Sequence, residues 1–167
     1  MLEWFNNFNF VLLISFTKNM KKALLIGLSI FILIQLIRPK MNIDNSNSLI
    51  DKNVTEFPVD INKVLVNSCF DCHSNNTKYP WYNQLAPFSW IIAQHINEGK
   101  EHLNFSKWNT YNTNQKNHLL DEIEAVIKDN KMPLKSYLLM HDVALKKEEK
   151  ELVLNWVQQT KSRLKNE

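Results

Sequence analysis

The pattern of apolar and polar positions divides the chain into an apolar N-terminal segment, a polar stretch and a series of amphipathic helices. Residues 23–37 form a nearly continuous apolar run, which two lysines precede and Arg38-Pro39-Lys40 closes. A basic start followed by an apolar run is typical of a secretory signal or a signal anchor. No small-residue cleavage motif follows, which favours an uncleaved anchor. The pattern therefore predicts a transmembrane helix over residues 20–38, extended by flanking residues that snorkel to the interface.

The chain begins with a second, shorter apolar run inside residues 1–19, which is too short to span a bilayer. Met20-Lys21-Lys22 opens the cleaner signal pattern, so our hypothesis is that Met20 is the true start and residues 1–19 are an N-terminal extension. The lysines that precede the apolar run predict a cytoplasmic N-terminus and place residues 41–167 on the other side of the membrane.

The rest of the chain predicts a polar linker followed by one helical domain. Residues 39–59 are rich in Asn, Asp and Ser, which is typical of a linker, and the domain is predicted over residues 60–167. Apolar residues recur there at i, i+3 and i+4 spacing, as amphipathic helices require, and no convincing strand is present. We expect an all-α domain. The predicted helices run from Asp60 or Asn62 through Cys69, from Pro87 to a C-cap at Gly99, from a cap at Thr113 or Asn114 to about Asn130, and from about Leu145 onward, with a loop over residues 103–108.

The charge distribution argues against a nucleic-acid partner. The chain has a formal net charge of +3, but residues 1–40 carry +4 and residues 41–167 carry −1. The basic excess therefore flanks the apolar run. Nucleic-acid binding would need a basic patch on the domain itself, and we predict no such partner.

The clearest chemical motif is Cys69-Phe70-Asp71-Cys72-His73, which uses both cysteines of the chain. C-x-x-C-H is the attachment signature of a c-type haem. Two thiols at i and i+3 lie on one face of a helical turn, so both can form thioethers with one porphyrin, and His73 can then bind the iron. A redox C-x-x-C would follow a strand, and a zinc site would need a second ligand pair. The remaining histidines do not supply an H-x3-5-H pair: His95, His102, His118 and His141.

The iron needs a second axial ligand, for which we predict Met132. It lies between two predicted helices, Pro133 fixes the backbone after it, and a thioether sulfur suits haem iron. Core packing is the simpler role for a lone methionine. Met140 and His141 are the next candidates, and the remaining histidines are weaker ones.

Aromatic residues in polar loops are candidates for binding the haem propionates. These carboxylates need donors when buried, and an indole N–H can supply one. Trp81 and Trp108 are the better candidates, although core packing is the more common role of such rings.

Several strings besides the C-x-x-C-H motif are shared with a known family. The chain resembles the haem-binding domain family of small bacterial c-type cytochromes over most of residues 60–157. The resemblance implies a cytochrome c-like helical fold around one covalent haem, and it implies no substrate. A typical member has an acidic residue and Gly-Arg where this chain has His95 and Gly99-Lys100. The strings that carry the resemblance are Cys69-x-x-Cys72-His73-Ser74-Asn75, Thr77-x-Tyr79-Pro80-Trp81-Tyr82, Asn104-Phe105-Ser106-x-Trp108, Met132-Pro133 and Trp156.

These features together predict a membrane-anchored electron carrier with one covalent haem c held by His73 and Met132. A haem with both axial positions filled exchanges electrons without binding substrate. The first alternative is a haem enzyme or gas-binding sensor with a five-coordinate or labile iron, and the second is a haem-free module with a disulfide. The predicted partners are the membrane and unidentified redox proteins. The predicted location is the bacterial inner membrane, with the haem domain facing the periplasm, because covalent haem attachment takes place outside the cytoplasm in bacteria.

Overall fold

The computed structural model describes residues 19–44 and 57–166. Residues 1–18, 45–56 and 167, which hold most of the predicted extension and most of the predicted linker, lie outside the described residues. The described chain divides into two compact units. The first contains residues 19–39 and 81–91, and the second contains the remaining described residues from 40 onward.

About two thirds of the described residues are helical and none of them forms a strand, which confirms the all-α prediction. A single bridge between Ile43 and Asn76 is the one extended pairing in this part of the chain. Two short 3₁₀ helices, Trp81–Gln84 and Phe105–Thr110, separate longer α-helices. The α-helices of the described residues are α1, described over residues 19–34, α2 Val59–Ser68, α3 Phe70–His73, α4 Phe88–His102, α5 Thr113–Lys128, α6 Lys135–Leu138 and α7 Lys147–Leu164.

The predicted transmembrane helix over residues 20–38 is not found. Across residues 19–44 and 57–166, none of the helices has the length and apolar character to cross a bilayer. The polar residue Gln35 immediately follows the last residue of α1. Its Nε2 donates to Ala86 O at 3.2 Å, and its Oε1 accepts from Ala86 N at 2.9 Å.

The hydrophobic core of the second unit lies between α2, α5 and α7. Four aromatic rings form its centre, with neighbouring centroids 5.7 to 6.1 Å apart in tilted or edge-to-face arrangements: Phe57, Phe105, Trp108 and Trp156. Edge-to-face contact adds to the hydrophobic stabilisation of such rings. Phe57, which lies in the predicted linker, is 4% exposed and so contributes to this core.

Helix ends differ from the predictions where side-chain contacts decide them. Asn112, rather than Thr113 or Asn114, caps α5, because its side chain accepts from Gln115 N while Gln115 Oε1 accepts from Asn112 N. The predicted loop at 103–108 is largely the second 3₁₀ helix, which Asn104 caps. Helix α4 continues to His102, past the predicted C-cap at Gly99.

An ion-pair network joins α5 to α7. Glu124 accepts hydrogen bonds from Lys128 on its own helix and from Gln158 and Lys161 on α7. The hydrogen bonds from Lys128 and Lys161 lower the pKa of Glu124 from 4.5 to about 2. The carboxylate is therefore charged over the whole neutral and mildly acidic range.

Candidate haem-binding site

The C-x-x-C-H motif forms a separate helical turn immediately after α2. Helix α2 ends at Ser68, and the backbone leaves the helical region at Cys69. Helix α3 then begins, with Cys72 N and His73 N donating to Cys69 O at 3.2 and 2.9 Å. Both cysteines are partly buried and both thiols are free, so no disulfide joins them. The motif therefore presents two thiols and one imidazole from a single turn.

The two thiols lie in surroundings that favour their protonated form. Burial raises the pKa of Cys69 to about 12, with a further contribution from Cys72. Burial also raises the pKa of Cys72 to about 11, and the neighbouring Asp71 carboxylate adds to this shift. Redox-active C-x-x-C pairs depend on a lowered thiol pKa, so this environment does not suit a disulfide oxidoreductase.

The His73 imidazole is oriented by a backbone carbonyl. Its Nδ1 lies 3.0 Å from Leu103 O, at the end of α4. Burial lowers the pKa of His73, and this outweighs the opposing effect of the backbone contacts with Leu103 and Gly99. The neutral ring must donate from Nδ1, since a carbonyl oxygen only accepts, and Nε2 then keeps its lone pair. A histidine held in this way is prepared to bind a metal.

A buried polar cluster fixes the segment that supplies this carbonyl. Asn104, which is 2% exposed, donates from its amide to Asn75 Oδ1 at 2.8 Å and accepts from Ser106 N at 3.0 Å. Asn75 N donates in turn to Ser106 Oγ at 2.9 Å. The cluster thus joins the chain just after His73 to the chain just after Leu103. It consists of residues from two of the strings that carry the family resemblance.

Helix α4 crosses the motif turn at Gly99. A Cβ atom placed on Gly99 would lie 2.8 Å from Cys72 O and 3.3 Å from Cys72 Cβ. A side chain at this position would force α3 and α4 apart. The sequence suggested that Gly99 ends a helix, whereas its structural role is to permit this close approach.

One cavity unites most of the predicted site residues. It has a volume of about 540 Å³, and Cys69, Cys72, His73 and Met132 all line it. Most of its other lining side chains are apolar, among them Phe105. A cavity of this size suits a cofactor, and the donor set matches haem: two thiols, a neutral imidazole and a thioether. The residues present therefore fit a haem with covalent attachment and two axial ligands.

The two predicted propionate donors do not line this cavity. Trp108 is 5% exposed and belongs to the aromatic core, where its ring packs against its aromatic neighbours. Trp81 is 74% exposed and lies in the first unit. Both residues lie in 3₁₀ helices, one exposed to solvent and the other packed in the core. Their assignment as propionate donors stays a prediction that the cavity lining does not support.

The other candidate ligands fall into two groups. His95 and His102 line the cavity. Met140 is 59% exposed, and His118 is an exposed residue 3.8 Å from Glu122, so neither is placed to bind a group in the cavity. His141 stacks on Tyr137 with ring centroids 4.0 Å apart.

Sequence reasoning missed the docking of Asn42, which lies in the predicted linker. Its amide donates to Ser74 O at 2.9 Å and to Thr77 Oγ1 at 2.8 Å, while its backbone N donates to Tyr79 Oη at 2.7 Å. Lys100 donates to Asn42 Oδ1. The described residues 40–44 are therefore part of the structure around the motif turn, and no periodic pattern in the sequence marks them.

An all-helical domain with these residues in one cavity defines a haem protein. The chain belongs to the haem-binding domain family, whose model matches residues 29–159. The match begins well before residue 60 and so includes the region around Asn42. No curated protein and no solved structure matches the chain.

Proposed function

We propose that this chain is a membrane-anchored mono-haem c-type cytochrome that transfers electrons through a haem ligated by His73 and Met132. The observation that carries the proposal is the convergence of Cys69, Cys72, His73 and Met132 on one largely apolar cavity. A haem bound there would supply a one-electron iron couple.

Different residues of the chain would attach the haem, ligate its iron and exclude water. Each thiol would add across one vinyl group of a bound haem, with sulfur bonding to one carbon and the hydrogen going to the other, so attachment would need no oxidant. His73 offers Nε2 because Leu103 O engages Nδ1. Met132 offers a soft sulfur that favours the reduced iron and raises the reduction potential. The apolar walls keep water from the centre.

The membrane anchor is proposed on the apolar run and its basic flanks. The described part of α1 exposes apolar side chains around its circumference, for example Leu24 at 68% and Leu33 at 60%. A lipid environment would cover such a surface at no cost in buried polar groups. We propose the bacterial inner membrane as the location and the periplasm as the side of the haem domain. The partners would be redox proteins at that membrane.

A haem enzyme or gas-binding sensor is the second candidate, favoured by one observation. His95 lines the cavity and could donate a hydrogen bond to a ligand on the iron, if Met132 were absent or labile. The two functions differ in the coordination of the iron, which an absorption spectrum reports.

The absorption spectrum of the purified protein tests the proposed ligation. A low-spin ferric spectrum with the weak sulfur-to-iron charge-transfer band at the red end of the visible range supports electron transfer through His73 and Met132. A high-spin ferric spectrum, with carbon monoxide binding readily after reduction, supports the second candidate and contradicts the first. Alkaline extraction of membranes tests the anchor separately, since an anchored chain stays in the pellet.

A further inference from the structure

Residues 131–145, here called the strap, connect α5 to α7 and carry Met132. The strap begins where Lys131 N donates to Val126 O at 2.9 Å, and it ends at Leu145, which is 8% exposed. Helix α6 forms its middle. Each end is therefore fixed to the core, and the position of Met132 depends on how the intervening residues are held.

Two side-chain hydrogen bonds tie the strap to the motif turn. Tyr137 Oη donates to Asp71 Oδ2 at 2.6 Å, and Ser68 Oγ donates to Val143 O at 3.1 Å. Asp71 stands between the two cysteines, and Ser68 immediately precedes the first. The turn that carries the haem-attaching thiols is thus bonded directly to the segment that carries the predicted second ligand.

Both partners of the Tyr137–Asp71 bond are held in place by further contacts. The other carboxylate oxygen of Asp71 accepts from Lys78 N at 3.0 Å. The Tyr137 ring stacks on His141 at an interplanar angle of 18°, and His141 Nδ1 lies 3.0 Å from Tyr137 O. A short hydrogen bond to a carboxylate is stronger than one between neutral groups, and partial burial of both residues protects it from water.

Asp71, Tyr137 and Met132 all line the same cavity. We propose that Tyr137 is a positioning residue: its bond to Asp71 holds the strap against the motif turn, keeps Met132 at the sixth position, and limits displacement of Met132 by an external ligand. The inference rests on the proposed function, because it assumes a haem in the cavity with Met132 as ligand. In this proposal, the Tyr137–Asp71 bond helps to determine whether the iron stays closed to external ligands, as in an electron carrier, or opens to bind them.

The expected effect follows from the free energy of the bond. Displacing Met132 requires the strap to leave the motif turn, which breaks the Tyr137–Asp71 bond. Removing the bond beforehand destabilises the closed state relative to the open one, so an external ligand should bind about tenfold more tightly.

Imidazole binding to the ferric full-length protein measures this directly, with loss of the sulfur-to-iron band as the signal. For Tyr137→Phe we expect the imidazole Kd to fall about tenfold. Tyr79→Phe is the matched control, because it removes a hydroxyl that accepts from Asn42 N at 2.7 Å, outside the strap and the cavity lining. It should leave the imidazole Kd unchanged, even if it lowers the free energy of unfolding by a similar amount.

Asp71→Asn serves if Tyr137→Phe does not accumulate, since the uncharged amide can still form a hydrogen bond with the Tyr137 hydroxyl, through its oxygen or its NH2 group. A neutral bond is about half as strong, so the Kd should fall about threefold. An unchanged Kd in the accumulating variant, with the band intact in the wild-type protein, overturns the role of Tyr137 alone. Absence of the band in wild-type protein that carries covalent haem overturns both this role and the proposed ligation by Met132.

Discussion

His73 Nδ1 lies 3.0 Å from Leu103 O, and this contact determines which nitrogen of the imidazole is available to a metal. The two residues are 30 positions apart, so the orientation of the His73 imidazole depends on tertiary structure. Two features bring them together: the polar cluster around Asn104 and the close crossing at Gly99. Each of these leads to a prediction.

Replacement of Asn104 by Ala should destabilise the domain by about 2 to 3 kcal/mol, because it removes the hydrogen bonds that the Asn104 side chain makes to Asn75 Oδ1 and Ser106 N in a buried cluster. Chemical denaturation measures the loss. Asn97→Ala on the exposed side of α4 is the control and should change the free energy of unfolding by less than about 0.5 kcal/mol. A small effect of Asn104→Ala would show that the cluster does not hold the segment.

Replacement of Gly99 by Ala should destabilise the protein by about 1 to 3 kcal/mol, against the usual trend in helices. A Cβ would lie 2.8 Å from Cys72 O, and overpacking of this kind displaces backbone. The chain contains one other glycine, Gly27, whose Cβ would meet nothing within 4 Å. Gly27→Ala should therefore be neutral or stabilising by up to about 1 kcal/mol. Equal behaviour of the two variants would contradict the close crossing.

Replacement of Met132 by Ala should leave the covalent haem in place and abolish the sulfur-to-iron band. The sixth position then opens, so the reduced variant should bind carbon monoxide readily. Met140→Ala removes the other nearby methionine, which is 59% exposed, and its spectrum should match that of the wild type. The reverse result, with the band lost only in Met140→Ala, would reassign the ligand.

The stability of the domain should fall in acid partly through Glu124. Its folded-state pKa of about 2 lies below its ordinary value of 4.5, so its contribution is complete above about pH 4.5 and is lost as the pH falls toward 2. Glu124→Gln should lower the free energy of unfolding at pH 7. The difference from the wild type should shrink between pH 4.5 and 2 in parallel denaturation series. A difference that is independent of pH would exclude the carboxylate charge as its cause.

The sequence predicted those features that local pattern controls. Apolar residues at helical spacing located α2, α4, α5 and α7, and the C-x-x-C-H motif with Met132 indicated four residues that the structure brings to one cavity. The helix prediction is confirmed because helix periodicity is visible in neighbouring residues, whereas the roles of the four cavity residues stay predictions that rest on residue type.

The remaining features depend on contacts between distant residues, which a single sequence does not display. Gly99 has the local pattern of a helix end, but it lies inside α4. A glycine is needed there because the backbone of Cys72 leaves no room for a side chain. Trp108 lies between polar residues in the sequence and nevertheless packs in the core. The bond between Tyr137 and Asp71 spans 66 positions and has no sequence signature.

The central claim is covalent haem attachment through Cys69 and Cys72. The mass of the chain after denaturation and removal of free haem tests it most directly. We expect a mass equal to the polypeptide plus one haem, a signal in haem staining of a denaturing gel, and loss of most of that haem in Cys69→Ala and Cys72→Ala. A chain exported and matured with a functional attachment system, yet with the mass of the bare polypeptide, would contradict the assignment as a c-type cytochrome.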